Sequence, residues 1–171
     1  MRDRMKAITI QQPYASLTIL PQTELPDGAT AKLCENRTWQ TGYRGPVLIH
    51  AGCSNDWFRF GDWPGFTRVT DRTRPELPYG AIVGIADLAA VVTLATVRAG
   101  RETSGKFDWL AKHAHATGPQ CWIWDNVRRF VEPIPYVGRQ GLFTIPVDVV
   151  HDAIQTAKFV RSMPTSVGRG T

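Results

Sequence analysis

Three residues able to hold or transfer a proton, Lys32, Glu35 and Arg37, fall within the run Lys32-Leu33-Cys34-Glu35-Asn36-Arg37-Thr38-Trp39. Read as a strand, the run places Leu33, Glu35, Arg37 and Trp39 on one face and Cys34, Asn36 and Thr38 on the other. The first face mixes two large apolar groups with two opposite charges. Turned inward, those charges must pair or line a cleft, because isolated buried charge is too costly. Turned outward, they make a surface salt bridge on an edge strand, and the run alone fits either reading. Lys32, just before the strand, can reach the same mouth. Lys32 serves as a general base or nucleophile only where burial or Arg37 lowers its pKa well below the ordinary value. Glu35 is then its partner, or accepts from an amino group on a base edge, while Arg37 holds a phosphate or carbonyl oxygen. The plainer alternative is a Lys-Glu-Arg network that only shapes the cleft. Ligand binding ranks above that network, and catalysis by Lys32 and Glu35 ranks below binding.

Other residues fit a nucleic-acid surface with varying specificity. Gln12 and Tyr14 stand where a helix begins, and backbone N–H groups there favour an anion. Tyr14 either stacks on a base or packs over the body of the domain. Trp39 and Tyr43 either flank the cleft or belong to the core. Arg44 and Arg139, beside turn glycines, suit contacts to backbone phosphate. Trp122 and Trp124 lie two apart with Arg128-Arg129 beyond; the tryptophans read as core, and the role of the arginines stays open. His50, alone on an apolar strand, reads as a hydrogen-bonded core histidine. His113 and His115 fall on an expected helix, where positions i and i+2 do not share a face. With no cysteine pair beside them, no metal site is expected, and no cofactor, since no P-loop, dinucleotide fingerprint or nucleophile elbow is present.

The elements that must position these residues are legible in outline. Lys6–Ile10 reads as a short strand, followed by a helix that Pro13 opens, carrying Leu17 and Leu20 inward and stopping near Pro21. Asp27-Gly28 marks a turn, and residues 33–39 are extended. Pro46–Ala51 is nearly all apolar and predicts a strand buried on both faces. Residues 52–80 hold Gly, Pro, Asp and Arg with Trp57, Phe58, Phe60, Trp63 and Phe66 among them, and read as a long connection pinned by its aromatics. Strand character returns at Ala81–Ala86, running on toward Val92. A helix is expected over Phe107–Ala116, then strands at 121–124 and 141–145 separated by the turn-rich Glu132–Pro135. A last helix is expected from Val147 to about Ser162, with Val150, Ile154, Ala157 and Phe159 near the right period. The tail from Pro164 to Thr171 is expected to be loose, and the basic stretch after Lys158, with Arg161 and Arg169, either adds weak attraction for phosphate or is only a disordered end. Five or six short strands of uneven spacing with flanking helices predict an α+β fold built on a small mixed β-barrel, not a doubly wound parallel sheet.

Length and composition agree with one domain over residues 1–171. Apolar residues make up 43% and charged residues 20%, which excludes disorder as the main description. No apolar run is long enough to span a bilayer, and Ala7–Ile10 is too short for a signal-peptide core, so a cytoplasmic location and no membrane partner are expected. Cys34, Cys53 and Cys121 are an odd number without Cys-x-x-Cys spacing, which fits reduced thiols. The formal charge of +5 favours an anionic partner. No heptad or exposed apolar stripe argues for an oligomer.

Lys32, Glu35 and Arg37 match the K, E and R of G-x-K-x-x-E-x-R, and in this order with its flanking blocks the chain resembles the ASCH (activating signal cointegrator homology) family of PUA-like β-barrels. The motif glycine would fall at Thr30, with Gly28 two residues early. Ile8–Leu17 resembles the family's opening strand and Q-P-[WY]-A-S-L helix start, and Tyr43–Ala51, Leu77–Gly84 and Gly138–Phe143 resemble later family strands, so the likeness spans roughly residues 5 to 147. The resemblance implies a cleft between barrel and first helix with Lys32, Glu35 and Arg37 at its floor, and binding of RNA or DNA. The expected function is therefore a nucleic-acid-binding domain that accepts a flipped, unpaired or modified base. A second expectation is an enzyme in the same cleft, either a ribonuclease or an amidohydrolase of N4-acylcytidine-type nucleosides, whose branch carries threonine where this chain has Glu35. A third is a protein-interaction module working through residues 52–80.

Overall fold

A computed structural model of the chain describes residues 3–54, 56 and 77–165. Strands β1 (Arg4–Ile10), β2 (Cys34–Arg37), β3 (Gly45–Ala51), β4 (Ala81–Thr93), β5 (Gln120–Pro135), β6 (Leu142–Pro146) and β7 (Lys158–Arg161) make a seven-stranded sheet. Short helices α1 (Tyr14–Ile19), α2 (Leu94–Arg98) and α3 (His151–Thr156) pack against it, so the fold is mixed α+β. The strand order is β2-β5-β4-β3-β1-β6, and β7 also pairs with β5. Among the described residues only β1 and β3 run parallel, with Ile8 opposite Ile49; the other pairs are antiparallel.

The apolar runs of β1 and β3 are buried on both faces, as their composition requires. Ile8, Ile10, Val47 and Ile49 pack with Trp122, Trp124 and the α1 residues Ala15 and Ile19. Ala7 and Leu48 face the other way, onto Ile82, Ile85, Phe143, Ile145 and Val150. Each fully buried isoleucine, leucine or valine among them stabilises the fold by about 1.5–3 kcal/mol. A third cluster joins Cys34, Cys121 and Ile123 to Leu94, Val97 and Leu110.

The β4–β5 ladder is irregular. The β4–β5 register shifts between Ile82 and Gly84, between Ile85 and Asp87, and between Leu88 and Ala90. Asn126, in the left-handed region at φ 45°, lies on β5 near the second shift. Such irregularities increase twist and curl a sheet. The expected barrel is nevertheless not closed: β2 and β6 end the strand order with no ladder between them among the described residues. The Arg37 guanidinium of β2 donates to the Thr9 carbonyl of β1 at 2.8 Å. A side chain thus ties together two strands that share no ladder among the described residues.

Several expected elements take another form. The helix over 107–116 is one 3-10 segment, Asp108–Lys112, and His113 beyond it is extended. The expected helix 147–162 is a 3-10 turn, Val147–Val149, then α3, then β7. Val150, Ile154 and Ala157 do reach the second cluster. Phe159 instead lies on β7, where Lys158-Phe159-Val160-Arg161 suits an edge strand and finds the outer edge of β5. Residues 121–124 and the expected turn at 132–135 belong to one strand, β5, whose far end pairs Ile134 with Ile82. Of the 52–80 connection, residues 55 and 57–76 lie outside the described residues. Among the described residues no helix is long and apolar enough to cross a membrane.

Candidate functional site

The short β2 strand carries the charged face that its alternation predicted. Glu35 and Arg37 turn to a cavity of about 1240 Å³, while Cys34 packs into the third cluster. That volume is at or above the usual small-molecule range of roughly 300–1,000 Å³. Lys32 enters from the preceding segment, fixed by its own N–H donating to the Leu17 carbonyl of α1 at 2.9 Å. Its side chain is 3% exposed, and Nζ donates to Glu35 Oε2 at 2.7 Å and to the Cys34 carbonyl. The other Glu35 oxygen, Oε1, lies 3.3 Å from the Arg37 guanidinium. Glu35 therefore sits between two cations, an arrangement that answers the cost of burying any of the three alone.

Tyr14 closes one side. Lys32 Nζ lies 5.6 Å from the centre of its ring, a cation–π distance. Burial and the Glu35 charge push the Tyr14 phenol above its ordinary value, which keeps the ring neutral. The His115 ring stands edge-on to Tyr14 at 6.0 Å and to His113 at 5.6 Å. These histidines are placed by a loop, not by one helix. His115 Nε2 binds the Thr30 carbonyl at 2.7 Å, and His113 Nε2 accepts from the Leu33 N–H at 3.2 Å. Burial lowers both, His113 to about 4, with the neighbouring His115 and Lys32 adding to it. Asn36 ties the same loop to β2, since its Oδ1 accepts from Thr117 N–H and Gly118 N–H, both at 2.9 Å.

The opposite side is the β5–β6 connection. His50, buried on β3, has Nε2 at 2.8 Å from the Tyr136 carbonyl and Nδ1 at 3.2 Å from the Thr9 hydroxyl. Burial lowers its pKa. A carbonyl only accepts, so the single proton of neutral His50 belongs on Nε2, and Nδ1 accepts from Thr9. The Thr9 hydroxyl also lies 3.0 Å from the Arg139 carbonyl, so its one hydrogen serves ring and loop in turn. A Cβ on Gly138 would come within 2.4 Å of the His50 ring and 2.7 Å of Thr9 Oγ1. Only glycine lets the connection approach so closely.

Of the residues singled out in the sequence, Tyr14, Lys32, Glu35, Arg37, Trp39 and Arg139 line this one cavity. Trp39, 37% exposed, rests edge-on against Trp122 with ring centres 4.7 Å apart. Gln12, Tyr43 and Arg44 are not brought to it. Gln12 is fully buried, its Oε1 accepting from Ser16 N–H and its Nε2 donating to the Pro78 carbonyl. Tyr43 donates to the Pro46 carbonyl at 2.7 Å, and Arg44 is engaged with the Thr41 and Tyr43 carbonyls. Arg129 pairs with Glu24, and Trp122 and Trp124 are core. Arg161 is no tail residue: its guanidinium donates to the carbonyls of Thr18, Lys32 and Leu20, stapling β7 to α1 and to the lysine segment. Sequence reasoning missed Gln11, which lines the cavity beside the buried Gln12; the only signal was a polar residue directly after the apolar run of β1. Cys34 and Cys121 are buried free thiols and Cys53 is exposed. Among the described residues no cluster of three or more His, Cys, Asp or Glu is placed to hold a metal. No family model matches the chain, and no curated protein matches it.

Proposed function

We propose that the chain is a nucleic-acid-binding domain of the ASCH type, PUA-like in architecture, whose cleft takes an unpaired or flipped base. The carrying observation is the convergence of Lys32, Glu35 and Arg37 on one cavity that Tyr14 and Trp39 flank. The aromatics supply faces for stacking and the charged groups supply edge and phosphate contacts. Arg139, exposed on the rim, supports a backbone contact there. Lys32 donates to two oxygens at once, a geometry that suits electrostatic positioning of a ligand better than removal of a proton from it.

The test is a titration of labelled single-stranded and duplex RNA and DNA against wild type, Lys32→Ala and Arg139→Glu at two salt concentrations. Arg139 touches no core, so its variant keeps the fold. Binding that weakens with salt and in both variants, with oligonucleotide recovered intact, supports a reader. Cleaved or deacylated product that Lys32→Ala abolishes would make the protein a hydrolase. No affinity for any strand at either salt sinks the proposal.

A further inference from the structure

Two polar atoms of the cleft have no hydrogen-bonding partner among the described residues although both are buried: Gln11 Oε1 and Arg37 Nε. A buried donor or acceptor left unmade costs roughly 1–3 kcal/mol, and native folds leave few. The Arg37 side chain is held in place. The terminal nitrogen of Arg37 is bound to the Thr9 carbonyl, two residues before Gln11, and to Glu35. Gly52, whose N–H donates to the Ile10 carbonyl at 2.9 Å, leaves room for the Gln11 amide, since a Cβ there would stand 2.7 Å from Oε1. The neighbouring polar groups are already occupied: each Glu35 oxygen faces a cation, and both ends of the Gln12 amide are bonded. Of the residues that line the cleft, Gln11 and Arg37 therefore carry a carbonyl acceptor and a cationic N–H donor that no group among the described residues answers.

Resting on the reading that a base occupies the cleft, we infer that Gln11 is the residue that selects it: the Gln11 oxygen accepts a ring N–H, and Arg37 Nε–H donates to the adjoining carbonyl oxygen. This pairing requires a lactam edge, as in uracil, thymine or guanine. Guanidinium N–H groups favour carbonyl oxygens, the commonest such contact being arginine to the guanine carbonyl. Cytosine and adenine carry no ring N–H beside a carbonyl on their pairing edge. They would leave one of the two protein atoms unmatched, and a site built around a polar pair rejects ligands that leave it unpaired.

The experiment measures binding of oligo(U), oligo(3-methyluridine), oligo(C) and oligo(A) of equal length to wild type, Gln11→Glu and Gln11→Met. Wild type is expected to favour oligo(U) over its N3-methylated form by about tenfold, the effect of one unmade buried hydrogen bond. Gln11→Glu, which keeps an acceptor, retains that preference at lower overall affinity, and Gln11→Met loses it. The methylation comparison uses wild type alone and so does not depend on how any variant folds. Equal binding of methylated and unmethylated strands, or tighter binding of oligo(C) or oligo(A), overturns the role of Gln11 while leaving the nucleic-acid reading standing. No binding of any oligonucleotide overturns both.

Discussion

At the scale of the residue, the site turns on how three charges share one small space. Glu35 is 12% exposed and lies between Lys32 and Arg37, so its charge compensates both. Removing it leaves a nearly buried ammonium facing a guanidinium. Glu35→Gln is therefore expected to destabilise the fold by about 3 kcal/mol, in the range for breaking one partner out of a buried ion pair. A urea titration checks this; a midpoint equal to that of wild type would mean the triad is solvated and not structural. The motif itself was legible, because strand alternation alone puts Glu35, Arg37 and Trp39 on one face. The environment of that face was not, because nothing local says whether an alternating strand shows its charges to solvent or to a cleft. Gln11 and Gln12 make the same point. They are chemically identical neighbours, and the end of β1 sends one amide into the cavity and the other into the core.

At the scale of the element, the cleft depends on two segments that approach closely. The β5–β6 connection lies against His50 and Thr9 because residue 138 has no side chain. Gly138→Ala is expected to push that connection outward, since contacts of 2.4–2.7 Å cannot be kept. The expected result is weaker oligonucleotide binding, with stability changed by only about 1 kcal/mol. A matched pair of binding and thermal-melt measurements distinguishes this from general unfolding; unchanged binding would mean the connection takes no part in the site. On the other side, β7 reaches α1 through Arg161, whose pKa burial lowers to about 10. The sequence around it reads equally well as the end of a helix, because Val150, Ile154 and Ala157 keep a helical period. The strand forms because the outer edge of β5 at Val127, Arg128 and Arg129 is free to pair with Arg161, Phe159 and Lys158. That edge is remote in sequence and invisible to a local pattern.

At the scale of the whole molecule, three histidines are held below their ordinary pKa by burial: His50, His113 and His115. Each binds a proton more readily in the unfolded chain than in the folded one. Their contribution to stability is complete above the unfolded value near 6.5 and is lost as pH falls through the folded values, which for His113 means toward about 4. Stability is thus expected to decline as pH falls from near 6.5, for His113 down to about 4, by at most ~1.4 kcal/mol per pH unit for each histidine in its titrating window. Urea midpoints taken through this range measure the decline, and His113→Asn should flatten it. A flat profile would mean these rings are solvated.

The sequence by itself determined the α+β character, the strands buried on both faces, the start of α1, the core tryptophans and the charged face of β2. These follow from apolar periodicity, turn residues and side-chain chemistry, all of which act over a few neighbouring positions. Only the tertiary structure decided that the sheet does not close, that β7 replaces the end of a helix, and that His113 and His115 stand beside Lys32 and Tyr14 from a loop. It alone decided that Gln11 faces the cleft. Those outcomes depend on which distant strands pair and in what register, and a shift of one residue turns every side chain of a strand to its opposite face.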